Sequence, residues 1–318
     1  MRNKVFLSVS AERNAGLQLE DLHNELNRIK AWGFDGAEIV LDTFPLIIAG
    51  RIIAPVLDYI RPIFLESGLT FSAHIASGLN MRTRDDLNMH RNVLLRSIDI
   101  CSELNLNPLV LHFEQCSHDD EIEAQFIRCH KEAAIYAKLL GIDLALENIE
   151  VEDYKLVLNA IEEIDSSNFG MTLDMGHLYL SSKHRGFCFE QALSECAPYA
   201  THCHVNDNAG IFEPLRLTDV DAYRNIPQSY CNTFGRGDMH VPPLYGEVPI
   251  STGIYELEKA GFRGIYTCEY AGRQYSPFNF EICQSVKSLV DKAGRLSAYG
   301  MTSSAPAANA AHLRSAIA

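Results

Sequence analysis

The fold turns on residues 142–177, IDLALENIEVEDYKLVLNAIEEIDSSNFGMTLDMGH. Two short apolar runs, near 142–147 and 169–174, flank a longer amphipathic stretch near 153–164, and each run ends in a carboxylate, Glu147 and Asp174. Buried parallel strands joined by a crossover helix read this way. An imidazole, His177, follows Asp174 three residues on, a spacing that a tight turn can direct into one cavity. Taken alone, Asp174 suits equally well the N-cap of a following helix.

Working outward, the same unit repeats. Further strand candidates lie near 4–9, 36–41, 70–75, 108–113, 200–205 and 264–269, with helices expected near 18–32, 51–66, 84–104, 119–140, 186–197, 252–260 and 277–296. In the helix over 119–140, Ile122, Phe126, Cys129, Ala133, Tyr136 and Leu140 recur at three- and four-residue steps as one buried face, between a polar start at Ser117, His118 and Asp119 and a stop at Gly141. Eight strand–helix units predict an α/β fold, a single (β/α)8 TIM barrel over 1–298. One connection, 206–250, is much longer than an ordinary loop; following the seventh strand, it would sit over the barrel mouth. Residues 299–318 are rich in Ala and Ser and read as a C-terminal tail.

A closed parallel barrel gathers the C-terminal ends of its strands into one mouth. Candidate metal ligands recur at those ends: His74 and His112 after the third and fourth strands, then Glu147, Asp174 and His177, then His204, and Glu269 at the eighth. Asp238 and His240 add to them from the long connection, beside Pro242 and Pro243. On the seventh strand His202, His204 and Asn206 share a face because side chains alternate with period two. His204, nearer the rim, is the ligand candidate; His202, one layer deeper, reads as a hydrogen-bonded core histidine. Each histidine or acid alone also suits a structural role, as a buried hydrogen-bonding group, a cap or a polar lid. Their common placement carries the argument.

The chain has 318 residues, 47% of them hydrophobic, a formal charge of −14 and a pI near 5.3. That length and composition support one large core. The negative balance opposes broad attraction to nucleic acid or anionic lipid. Nine cysteines without a CxxC pair or a short disulfide framework suit reduced thiols. The N-terminus opens on a strand-like run, Val5-Phe6-Leu7, rather than on a signal segment, and no apolar run approaches the roughly 20 residues that span a bilayer. A cytoplasmic protein, with no membrane partner, is expected.

The ordered set His74, His112, Glu147, Asp174-x-x-His177, His204-x-x-Asp207, Asp238-x-His240 and Glu269 resembles the superfamily that joins xylose-isomerase-like sugar isomerases and epimerases with endonuclease IV. The resemblance covers nearly all of 1–298. It implies that Glu147, Asp174, His204 and Glu269 hold one divalent ion (Mn, Mg, Co or Zn), with the two glutamates exchanging protons with a small sugar or sugar derivative through an enediolate. Glu147 and Glu269 are then the catalytic pair, and His74, His177 and His240 hold further hydroxyls. Arg216 and Arg236 are candidate anion contacts or solvated loop charges, and Trp32, Glu38 and Phe113 are candidates for shaping the pocket, the aromatics serving equally as core. The resemblance also implies a homo-oligomer, a dimer or tetramer. Endonuclease IV uses a nine-residue set around three zinc ions, and all nine positions have counterparts here, so a three-zinc phosphodiesterase is the alternative. A non-catalytic sugar-binding barrel is another.

Overall fold

The structure, a computed structural model, describes residues 3–10, 16–75 and 77–298. The expected tail, 299–318, lies outside the described residues. Eight parallel strands close into a barrel in sequence order: β1 Lys4–Val9, β2 Gly36–Val40, β3 Thr70–His74, β4 Leu106–His112, β5 Leu144–Glu147, β6 Phe169–Asp174, β7 Ala200–Val205 and β8 Ile265–Cys268. Outward-facing residues such as Val5, Leu7, Ile39, Leu111, Leu146, Leu173 and Val205 are buried beneath the surrounding helices. This is the single (β/α)8 barrel expected from the sequence.

The helices around it are α1 Leu22–Ala31, α2 Ala54–Ser67, α3 Leu87–Leu104, α4 Asp120–Leu139, α5 Tyr154–Ile164, α6 Met175–Arg185 and α7 Phe189–Cys196. In the long connection stand three short helices, α8 Leu215–Thr218, α9 Val220–Arg224 and α10 Gln228–Phe234. They are followed by α11 Ile250–Lys259 and α12 Asn279–Ala298. Local chemistry sets several starts. Asp119 caps α4 by accepting from the Glu121 and Ile122 N–H groups, and Asp153 caps α5 through Lys155 N–H. Along α4 the expected face is buried at Ile122, Phe126, Cys129 and Ala133. It opens at its C-terminal end, where Leu140 is exposed.

Three features depart from the sequence reading. Ile47–Ile48 and Arg51–Ile52 form a small antiparallel hairpin about Ala49 and Gly50, both at positive φ, so the helix expected from 51 starts at Ala54. Helix α6 was not foreseen. Nearly all of Met175–Ser182 is buried, which removes the polar face that an amphipathic pattern needs. Asp174 and His177 are therefore the N-cap and third residue of a helix rather than the ends of a tight turn. The 206–250 connection is also more ordered than a plain loop. Asp207 exchanges two backbone hydrogen bonds with Val241, and its carboxylate accepts the Val248 N–H at 2.9 Å, tying the base of the connection together.

All nine cysteines are free thiols. Among the described residues, no helix is long and apolar enough to cross a membrane.

Candidate metal centre

Alternation along each strand gives the barrel interior two stacked polar layers. The lower contains Glu38, Ser72, Thr172, His202 and Thr267, all fully buried. Barrel interiors are usually filled by branched apolar side chains, and buried polar groups must find partners. Here most do, His202 Nδ1 excepted: Glu38 Oε2 accepts from Ser72 Oγ at 3.1 Å and lies 2.8 Å from His202 Nε2, which is 3.1 Å from Thr267 Oγ1. His202 is thus the hydrogen-bonded core histidine its depth in the strand suggests.

The upper layer is built around His204. Its Nδ1 lies 3.1 Å from Glu147 Oε1, 3.1 Å from Glu269 Oε2 and 3.7 Å from Asp174 Oδ2. Ligand atoms of Glu147, Asp174, His204 and Glu269 all fall within 4.8 Å of one another, and all four residues are buried. On the other side of the ring, His204 Nε2 is 2.9 Å from Glu38 Oε1. The N–H does not point straight at that oxygen, so the contact is an ion pair rather than an aligned hydrogen bond. Glu38 therefore joins the two layers by contacting both histidines of β7. The sequence reading assigned it only to pocket shape; its position at the acidic end of Gly36-Ala37-Glu38 was the available signal.

The remaining candidates surround this core. His74 Nε2 stands 3.2 Å from Glu147 Oε2 and 2.9 Å from His112 Nε2, and His112 is 3.6 Å from Glu147. His177, Asp238 and His240 form a second close group, with Asp238 Oδ2 at 3.2 Å from His177 Nε2 and 2.6 Å from His240 Nε2. His240 has φ +46, a strained conformation for a non-glycine residue, and its Nδ1 lies 3.1 Å from the Glu269 carbonyl oxygen. All nine sequence candidates thus meet at one mouth.

Asparagines not singled out as site residues hold the acids in place. Asn148 pairs with the Asp174 backbone through both its amide groups, and Asn206 Nδ2 donates to Asp174 Oδ2 at 2.6 Å.

The electrostatics are those of a site built for positive charge. Burial alone would raise the Glu38 carboxyl, but His204 and His202 outweigh it and hold it well below the usual range. Burial acts the same way on Glu147, and His204 and His74 overcome it. Conversely, burial would lower His204, whereas Glu38, Glu147 and Glu269 lift it well above an ordinary imidazole. Asp174 and Asp238 do the same for His177 against its burial. Burial, with His74 beside it, pushes His112 down to about 4. Protons on these histidines answer the carboxylates, and a bound cation would compete with those protons. Three buried carboxylates and an imidazole nitrogen converging on one point fit a divalent metal.

Other expectations resolve differently. Arg216 Nε is held by Glu150 at 2.6 Å and Arg236 lies 3.6 Å from Glu213, so neither loop arginine is a bare anion contact. Phe113 is buried against Phe126 and Arg82, in the core. Trp32 caps the C-terminal end of α1, which leads into the start of β2, at the opposite end of the barrel from the mouth. Cavities of about 500 and 610 Å³ also open at that opposite end, the larger beside α12 and both away from the carboxylates.

A family model described as xylose isomerase-like TIM barrel matches residues 26–292. No curated protein sequence matches the chain. Among solved structures, a D-tagatose 3-epimerase-like protein is 18% identical over 91% of this chain and 98% of that one, with a TM-score of 0.65. A xylose isomerase-like TIM barrel protein from Mycobacterium smegmatis, solved in complex with magnesium, is 16% identical over 92% and 98%, with a TM-score of 0.68. An L-ribulose 3-epimerase is 13% identical over 96% and 100%, with a TM-score of 0.63. At these identities the likeness to solved structures is one of fold.

Proposed function

The chain belongs to the xylose isomerase-like TIM barrel family, and we propose that it is a divalent-metal-dependent isomerase or epimerase of a small sugar or sugar derivative. The observation that carries this reading is the position of His204 Nδ1, 3.1 Å from both Glu147 and Glu269. The two glutamates come from separate arcs of the barrel, the end of β5 and just past β8, and flank the same small space. Glu147, Asp174, His204 and Glu269 would hold one ion of Mn, Mg, Co or Zn. When bound, the ion supplies Lewis acidity that offsets the negative charge growing on adjacent substrate oxygens.

One glutamate removes the proton from the carbon beside the substrate carbonyl, and the other returns a proton to complete the isomerisation or epimerisation. His74, His177 and His240 face the same mouth and hold substrate hydroxyls. Glu38 fixes the ring of His204 from below, which keeps Nδ1 turned toward the glutamates.

The test combines metal analysis with deuterium incorporation from D2O into ketoses. About one ion per chain and exchange beside the carbonyl are expected, with Glu147→Gln and Glu269→Gln each lowering the exchange rate about 100- to 10,000-fold. Unchanged exchange in both variants would remove the glutamates from proton transfer.

A second reading, a three-zinc phosphodiesterase like endonuclease IV, draws on the grouping of His177, Asp238 and His240 and on the adjacent His74 and His112. Three zinc ions per chain with cleavage of abasic DNA, and no exchange into any ketose, would establish it instead. The net charge of −14 and the pairing of Arg216 and Arg236 with acids disfavour a DNA partner. Sugar binding without exchange would leave the non-catalytic barrel.

A further inference from the structure

Beside the metal centre lies a cavity of about 280 Å³ whose walls beyond Asp238 and His240 have no role above. Its floor is shared with the centre through Asp238 and His240. Tyr223, Gln228 and Asn232 from the long connection form one wall, and Gln274 and Tyr275 from the segment after β8 form another. At roughly 30 Å³ per water this space holds about nine waters, room for one sugar ring. We infer that it is a subsite for a neutral glycosyl unit attached to the reacting sugar, so that the substrate is a glycosylated ketose rather than a free or phosphorylated one. The inference rests on the isomerase reading for the identity of the reacting group.

The chemistry of the walls selects the occupant. Side-chain amides offer both donors and acceptors, which match hydroxyl groups, and tyrosine rings offer apolar faces for the C–H side of a sugar. No lysine or arginine lines the cavity among the described residues. The arginines of the connection, Arg216 and Arg236, are directed to Glu150 and Glu213. A phosphate placed here would meet the Asp238 side chain with no lysine or arginine in the lining to bind it. A neutral, hydroxyl-rich group needs no such partner.

The wall is also braced. Gln228 Nε2 donates to the Met239 carbonyl at 2.9 Å and to Asn232 Oδ1 at 3.1 Å, linking α10 to the Asp238–His240 turn. Tyr275 packs edge-on against Tyr270, a fully buried residue following β8. The cavity is therefore bounded by elements attached to the metal centre itself, and its distance from the reacting carbons is set by the fold.

The experiment measures deuterium incorporation by the manganese-loaded enzyme into fructose, fructose 6-phosphate and isomaltulose, a glucosyl ketose. Expected is a kcat/KM for isomaltulose about tenfold above that for fructose, with the phosphate ester below both. In the Asn232→Ala/Gln274→Ala double variant the isomaltulose-to-fructose ratio should fall toward one. A ratio of one or less in the wild type, preference for the phosphate ester, or a ratio that the double variant leaves intact would overturn the subsite. If no ketose exchanges, the isomerase reading fails, and calorimetric titration of the same manganese-loaded proteins decides the subsite separately. Isomaltulose binding more tightly than fructose, and losing that advantage in the double variant, supports it. Equal or absent binding overturns it.

Discussion

The carboxylate of Asp174 accepts the backbone N–H of His177 at 2.6 Å, so one side chain both caps α6 and turns its second oxygen toward His204 in the candidate metal centre. The cap is observed, and the second oxygen is left for the proposed ligand role. The two roles can be separated by substitution. Asparagine caps helices as well as aspartate does, whereas alanine does not. Asp174→Asn should keep the unfolding free energy close to wild type while metal affinity falls on the order of 100-fold. Asp174→Ala should lose about 1 kcal/mol of stability as well. Urea unfolding of the metal-free proteins and chelator competition measure the two effects; equal stability losses in both variants would count against the cap.

Glu38→Gln removes the charge behind His204 without touching the four proposed ligands. Outer partners of ligating histidines set ring orientation and basicity, so metal affinity should fall about 10- to 100-fold. Chelator competition reads this directly, and an unchanged affinity would show that His204 is oriented by other contacts.

Gly176→Ala would raise helix propensity in the first turn of α6, by less than the about 0.8–1 kcal/mol of a helix interior. A Cβ there, however, would stand 1.8 Å from Asn206 Oδ1 and 2.9 Å from its Cγ. Asn206 is the residue that donates to Asp174. Displacing it should produce a net loss of about 1–3 kcal/mol and weaker metal binding. A higher urea midpoint would mean that Asn206 moves aside freely.

His130 supplies a pH test away from the site. It is buried on α4, its Nδ1 donating to the Phe126 carbonyl at 2.8 Å, and burial pushes its imidazole down to about 4. The unfolded chain takes up this proton near pH 6.5, and the folded chain refuses it until about pH 4. The stability tied to His130 is thus full above pH 6.5 and declines as pH falls through that window. The total is about 3 kcal/mol. Comparing urea unfolding at pH 7 and pH 5, His130→Asn should show a shallower loss than wild type. Parallel pH profiles would contradict the buried neutral imidazole.

Much of the site was legible in the chain because strand-end chemistry is local. An apolar run ending in Glu147, or the alternation His202-x-His204, fixes which side chains point inward before any packing is known. The unforeseen parts are those where burial erased a local pattern or long-range pairing supplied the partner. Helix α6 lacks a polar face, so no periodicity marked it. Arg216 and Arg236 look like loose loop charges until Glu150 and Glu213 are brought against them.

By itself, then, the sequence determined the barrel and set His74, His112, Glu147, Asp174, His204 and Glu269 at or just past the same ends of its strands, since both follow from periodicity along single strands. Only the tertiary structure decided that Glu38 stands under His204, that His177, Asp238 and His240 form a group of their own, and that the long connection walls a cavity beside them. Barrel closure and the stagger between strands set these distances, and both depend on how strands and connections far apart in the chain pack together.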